Sequence, residues 1–475
     1  MEAKKIVKGV KWAGLEFILN FAGQLGIKLL LAKILLPSDF GIVSMTSIFI
    51  AIVTAGSELG MGAALIQKKD DINAQRLYDT AFWTGLIWGS ILFLFMIVVV
   101  APFAAYFYEV PILRKLIPFL SLGILLKPLS LIHTVVLTRD MNFRRMAIIN
   151  NFSVFISGSI SILLAMSGLG VWALAANSVL IVFISIPLLY LTTKWKPKLE
   201  WYRPYFNEIF GFGMYSTGTS IFSTTTYNID NLMIGKFLGS EPLGAYALSF
   251  SLTEVIRQTV SSILNKVLYP VFGKFQDDKK KLKSYFLKII NLNAIILYPI
   301  MSFLAVWGGD LIRGFFGEKW ISSIIPLRLL AIAVMVHLMI NSFASIFRGM
   351  GFPKIEFKVL LFTTLFVLIP GLFIGIKYGG LLGAALAILV NKLVLVIVGF
   401  ILLNKYIGVT INELVNELYK PILSLLISTL ITYFLTSFFI HRTWIITGTL
   451  YGLLYISFIF ILEQKKIKSL YLQIR

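Results

Sequence analysis

Apolar runs of about twenty residues, parted by short polar segments, recur along the whole chain. A run of that length crosses a bilayer core of roughly 30 Å as a helix. Backbone polar groups have no water to bind in that core, so the spans must be helices. The alternating pattern of a membrane barrel is absent. The pattern predicts fourteen spans, near 10–34, 41–66, 80–107, 114–137, 146–167, 170–192, 209–235, 243–268, 285–307, 324–347, 356–376, 380–404, 421–440 and 443–462. The expected fold class is all-α integral membrane.

The chain also repeats itself. At an offset of 203 residues, Lys33-Ile34-Leu35-Leu36 and Gly41 fall on Lys236-Phe237-Leu238-Gly239 and Gly244. At an offset of 209, Arg139-Asp140-Met141-Asn142-Phe143 falls on Arg348-Gly349-Met350-Gly351-Phe352, with a basic residue following at Arg145 and Lys354. The offset corresponds to six spans. Two halves of six helices in the same orientation are therefore expected, with a substrate site between them as in transporters built from repeats. The expected organisation is an N-lobe over 1–192, a connector over 193–208, a C-lobe over 209–404, and two extra helices with a tail over 405–475.

Composition agrees with this pattern. The chain is 58% hydrophobic and contains 36 glycines; its mean hydropathy is +0.87. The net charge of +21 would suit a nucleic-acid binder. Its placement in short loops instead follows the positive-inside rule. With Lys4, Lys5 and Lys8 in the cytoplasm, the inside segments hold Lys68 and Lys69, Arg139 to Arg145, Lys194 to Arg203, Lys274 to Lys283, Arg348 to Lys358, and Lys465, Lys466 and Lys468. Both termini then lie inside. Outer loops are short, the longest near 308–323. There is no cysteine, so disulfides are excluded. The first apolar run is long and is followed by no small-residue cleavage site, so it is expected to remain as the first helix.

Charge at membrane depth is costly, about 2.5–3.5 kcal/mol per residue on insertion scales. Basic residues at such depth are Lys11, Lys28, Lys127, Arg257, Lys266, Lys288, Arg328 and Lys392. The acids are Glu16, Glu58, Asp230 and Glu254. Lys11, Lys266 and Lys288 lie near span ends, where they can snorkel to the headgroups. In the first span Glu16, Asn20, Gln24 and Lys28 recur every four residues on one helix face. At the 203-residue offset they become Thr219, Ser223, Tyr227 and Asn231, with Asp230 alongside. A third stripe holds Glu254, Arg257, Gln258, Ser261 and Asn265. Such stripes serve either as polar glue between helices or as the lining of a hydrated cavity. Glu254 and Arg257 are spaced to pair along a helix. His133 and His337 read as packed histidines. Metal-ligand spacings, nucleophile elbows and phosphate loops are all missing. No cofactor and no catalytic residue is expected.

Several stretches resemble a known family. They are Leu36-Pro37-Ser38-Asp39-Phe40-Gly41; Tyr227, Asp230-Asn231, Ile234-Gly235 and Leu238-Gly239; Leu243-Gly244-Ala245-Tyr246; and Phe316-Gly317-Glu318-Lys319-Trp320. Together with the six-plus-six-plus-two plan, they are similar to the polysaccharide exporters of the multidrug/oligosaccharidyl-lipid/polysaccharide superfamily. The nearest likeness is to Wzx-type and teichuronic or colanic acid exporter-like flippases. The resemblance implies a two-lobed protein of the cytoplasmic membrane working by alternating access. Its cargo would be an oligosaccharide repeat unit on a polyprenyl diphosphate, with polymerases and glycosyltransferases as partners and no nucleic acid. It also implies a cavity lined by basic residues.

The cationic-cavity expectation falls on Lys28, Lys127, Arg257 and Lys392. The polar lining expectation falls on Glu16, Asn20, Gln24, Tyr227, Asn231 and Gln258. Asp230 and Glu254 are candidates for proton or sodium coupling. A cation-coupled drug exporter of the same superfamily is the alternative, kept open by those two acids. A membrane polymerase or glycosyltransferase is a second alternative. It fits less well with short outer loops and leaves the duplication unexplained.

Overall fold

The computed structural model describes residues 2–57, 61–67, 74–438 and 443–474. Every regular element among them is helical. Ten segments among the described residues are long and apolar enough to cross a membrane. One of them, Pro353–Ile407, runs for 55 residues but is broken at Gly380, where φ is +54°. A side chain is strained in that conformation and glycine is not. The chain doubles back there, and the backbones of Gly375 and Gly383 come together across the hairpin.

That break agrees with the separate spans expected at 356–376 and 380–404, whereas three other regions differ from the hydropathy pattern. The second span begins at Pro37, not near 41, and stops at Ala55 before a separate short helix, Met61–Gln67. Proline is favoured in the first helical turn, where its missing N–H leaves no hydrogen bond unmade. Asp39 Oδ2 accepts the backbone N–H of Leu36 at 3.1 Å and closes that turn. The seventh span divides at Asn228 into Arg203–Tyr227 and Ile229–Leu238. The Asn228 amide donates to the Thr224 carbonyl at 2.8 Å, the kind of local bond that competes with a helix. Most of the expected outer loop over 308–323 is also helical, parted only by the positive-φ Gly317.

Contacts divide the chain into two compact units, Met1–Gly244 and Ala245–Arg475. In the first, the helix Glu2–Ile34 packs along Phe143–Met166, which packs in turn on Val171–Thr192. Ser153, Ser157, Ser161 and Ala165 form a buried stripe of small residues on the middle helix. Small residues at four-residue spacing let membrane helices approach closely where no hydrophobic effect drives them together. A Cβ on Gly158 would collide with Ile27. The helix Arg203–Tyr227 packs on Pro37–Ala55, within this same unit.

The two repeat-related glycines lie in this unit as well. A Cβ on Gly41 would overlap the carbonyl of Ser240, and a Cβ on Gly244 would overlap the carbonyl of Pro37.

The connector after Val171–Thr192 is extended and tied down. Buried Asp79 accepts the Lys198 N–H at 2.9 Å and the Gln75 amide at 3.0 Å. Trp83 donates to the Lys198 carbonyl at 2.7 Å, and the Tyr202 N–H reaches Thr80 at 3.2 Å. The clamp supplies acceptors and donors to a chain segment with no helix or sheet of its own.

In the second unit, Lys279–Leu311 is central to a bundle with Ile324–His337, Ile411–Phe438 and Trp444–Ile474. Trp307 and Tyr451 are fully buried there, and Tyr451 hydrogen-bonds Ser302. Asp278 caps the central helix by accepting the Lys281 N–H at 3.0 Å; that bond holds its carboxyl below the usual range.

Candidate functional site

The second unit buries a compact group of charges. The helix carrying it is not regular: Ser251–Val255 forms a π turn before the α-helix Ile256–Lys274 resumes. Single π turns in α-helices re-aim side chains and often mark functional positions. Glu254, 3% exposed, lies in that turn, and Arg257, 9% exposed, lies just beyond it.

The Arg257 Nε donates to Glu254 Oε2 at 2.8 Å. Lys392 Nζ, from the helix Ile369–Ile407, stands 3.2 Å from the other carboxylate oxygen, Oε1. One carboxylate thus bridges two cations from two helices. The Arg257 Nη1 donates to Asn341 Oδ1 at 2.6 Å, and the Asn341 amide donates to Ser261 at 2.6 Å. Asn341 is placed by the tight turn that interrupts the apolar helix after His337. His337 lies within electrostatic reach of Arg257, Lys392 and Glu254. The Gln258 amide nitrogen is buried and has no hydrogen-bond partner among the described residues.

Counted as full charges, the group holds two cations and one anion. Burying ions in a low dielectric is costly unless the partners are well placed. The hydrogen-bonded pair meets that condition, while one positive charge remains in excess.

In the first unit the expected stripe is partly helix glue. The Asn150 amide donates to Glu16 at 2.6 Å, which joins Glu2–Ile34 to Phe143–Met166. Gln24 donates to Asn20 at 2.6 Å along the same helix. Lys28 and Lys127 are half-buried, as are Asn20 and Glu16, whereas Gln24 is exposed. Tyr227 is exposed and Asn231 half-buried. Asp230 is buried, and its carboxylate accepts the Asn231 N–H at 2.8 Å. Lys288 and Arg328 are exposed. Glu58, Lys68 and Lys69 lie outside the described residues, as do the side chains of Lys11, Thr219, Asn265 and Lys266.

The structure therefore brings together Glu254, Arg257, Ser261 and Lys392 of the residues singled out from the sequence, adds Asn341, and sets His337, read there as a packed histidine, near them. Asn341 was not singled out from the sequence. Its signal was there: His337 and Asn341 are four apart inside an otherwise apolar run. Among the described residues no group of His, Cys, Asp and Glu could hold a metal ion.

The same unit holds an apolar cavity of about 740 Å³ between Ile369–Ile407 and Ile411–Phe438, lined by residues such as Phe400, Leu418 and Leu426.

Comparison with known proteins bears on this fold and site. The lipopolysaccharide biosynthesis protein WzxC of Escherichia coli K12 is 25% identical over 408 residues, covering 85% of this chain and 81% of that protein. The teichuronic acid biosynthesis protein TuaB of Bacillus subtilis 168 is 26% identical over 358 residues, covering 74% of this chain and 73% of that one. Among solved structures, the lipid II flippase MurJ in an inward closed conformation matches with a TM-score of 0.73 at 15% identity, over 97% of this chain and all of that one. That likeness shows the fold of a multi-span membrane transporter. The resemblance to polysaccharide exporters is borne out. The model of the polysaccharide biosynthesis protein family matches residues 30–326, and the chain belongs to that family.

Proposed function

We propose that this chain is a flippase. It moves polyprenyl-diphosphate-linked oligosaccharide repeat units from the inner to the outer leaflet of the cytoplasmic membrane, for surface polysaccharide assembly. The observation that carries the reading is the buried group of Arg257, Lys392 and Glu254, with its excess positive charge, in a membrane protein of a polysaccharide biosynthesis family.

The physical task fits that chemistry. A diphosphate-sugar head cannot cross hydrocarbon unaided, whereas a polyprenyl tail is at home there. A cationic, hydrated site lowers the barrier for the head. Arginine holds phosphate through two parallel hydrogen bonds, and lysine adds a point charge. Arg257 and Lys392 contact the diphosphate or an acidic sugar in this reading, assisted by Lys28 and Lys127. Asn20, Gln24, Tyr227, Asn231 and Gln258 line its path. Glu16 belongs to the same stripe but is engaged with Asn150. Asp230 serves proton or sodium coupling. Transport proceeds by alternating access of fourteen helices in two repeats plus a C-terminal pair, with both termini in the cytoplasm and no bond made or broken. A polymerase and glycosyltransferases act after and before it.

The test is surface polymer in cells carrying Lys28→Ala or Arg257→Ala. Each should cut surface polysaccharide strongly, with lipid-linked precursor accumulating on the inner leaflet. Lys28→Arg should restore part of the output, because charge matters there more than fork geometry. Normal polymer in the double alanine variant, at wild-type protein level, refutes the cationic mechanism.

A further inference from the structure

We propose that Glu254 is a built-in competitor for the anion site formed by Arg257 and Lys392: the substrate's diphosphate enters by displacing this carboxylate, and the carboxylate's return helps to expel it. The inference rests on the flippase reading above and adds how the site sets affinity and charge selectivity.

The geometry carries it. The two oxygens of Glu254 are divided between two cations on different helices, Oε2 on Arg257 at 2.8 Å and Oε1 on Lys392 at 3.2 Å. That is the bridging role an anion of greater charge would take. The charge count agrees, because a monoanion between two cations leaves one positive charge over, and a dianion does not. One helical turn on from Glu254, the buried Gln258 amide nitrogen has no acceptor among the described residues. Gln258 follows Glu254 by four residues and precedes Ser261 by three, so all three lie on one helix face.

The backbone is suited to the exchange. Glu254 lies in the π turn Ser251–Val255, where the regular α-helical ladder is already interrupted. Arg257, by contrast, is anchored on its far side by Asn341, which is itself held by Ser261. The acid is placed to move while the cation stays.

Competition of this kind suits a carrier. A site of two bare buried cations would hold a diphosphate tightly and release it slowly. With Glu254 present, affinity is lowered by the work of breaking two ion pairs, and release is assisted by remaking them. A ligand with no charge cannot displace the carboxylate, a singly charged phosphodiester does so poorly, and a diphosphate does so best.

The experiment uses the purified full chain in lipid nanodiscs with farnesyl diphosphate as the probe, and the farnesyl methyl phosphodiester and farnesol as controls. Glu254→Gln should bind the diphosphate at least tenfold more tightly than wild type, with a smaller preference over the phosphodiester. In proteoliposomes the same variant should turn over more slowly at saturating substrate. Should Glu254→Gln lower stability, as unpaired buried cations do, the probe should raise its thermal midpoint by more than it raises that of wild type. Glu254→Asp, whose shorter arm reaches only one cation, should bind with intermediate affinity.

Equal or weaker binding by Glu254→Gln, with binding still lost in Arg257→Ala and Lys392→Ala, overturns the competitor role and leaves the anion site standing. Probe binding that ignores Arg257 and Lys392 altogether overturns both.

Discussion

Gly41 and Gly244 occupy the two sides of one backbone crossing: each lies against the carbonyl of the residue four before the other, Ser240 for Gly41 and Pro37 for Gly244. Those partners are themselves 203 residues apart, the offset that relates the glycines. The two glycines matched by that offset thus meet in a reciprocal contact between two helix starts. No side chain fits there, since the obstacle on each side is backbone.

The first prediction follows directly. Gly41→Ala and Gly244→Ala should each destabilise the protein by overpacking, by about 1–3 kcal/mol or more. Thermal unfolding followed by fluorescence-detected chromatography measures it, and Gly239→Ala, strained only by its own φ, is the comparison. An unchanged midpoint for both crossing variants would show that the helices separate at no cost.

A second prediction concerns the connector. Asp79 accepts from the Lys198 N–H and from Gln75, while Trp83 donates to the Lys198 carbonyl and Thr80 accepts the Tyr202 N–H. Asp79→Ala leaves a backbone N–H without its acceptor, at a cost of about 1–3 kcal/mol. Trypsin should then cut after Lys194 or Lys198 several-fold faster than in wild type. Both side chains are already exposed, so access of the backbone is what would change. An equal digestion rate would mean that the remaining bonds suffice.

Orientation is tested by labelling. The chain has no cysteine, so one introduced at Ser284 or Ser469 is its sole thiol. Both should react only with reagents that enter the cytoplasm, as the loop charge bias requires. Reaction of Ser284→Cys with an impermeant reagent from outside would invert the topology. Asn73, a third such position, lies outside the described residues.

The coupling role of Asp230 gives the fourth prediction. Buried acids in membrane helices mark ion or proton pathways by default. Asp230→Asn should abolish the response of transport to a proton or sodium gradient while protein level is kept. Gradient dependence equal to wild type would leave Asp230 a structural role, as in its bond to the Asn231 N–H.

Helical membrane spans were legible in the sequence because each follows from local pattern. A run of twenty apolar residues has one conformation in lipid that pairs all its backbone groups, and Gly380 and Gly408 punctuate it by their own backbone preferences. The pairing of Glu254 with Arg257 was legible for the same reason, three residues being one helical turn. What the pattern could not supply was anything fixed by a second helix. Lys392 was singled out by depth alone, and only packing sets it on Glu254. Asn341 meets Arg257 because a turn breaks an apolar run that hydropathy reads as continuous. Glu16 belonged to a polar face by period, but Asn150 on a distant helix decides that it joins helices. Periodicity gives the face of a helix and not the neighbour it meets; in a bundle held by close packing and polar contacts, the neighbour is chosen by the shape of the whole fold.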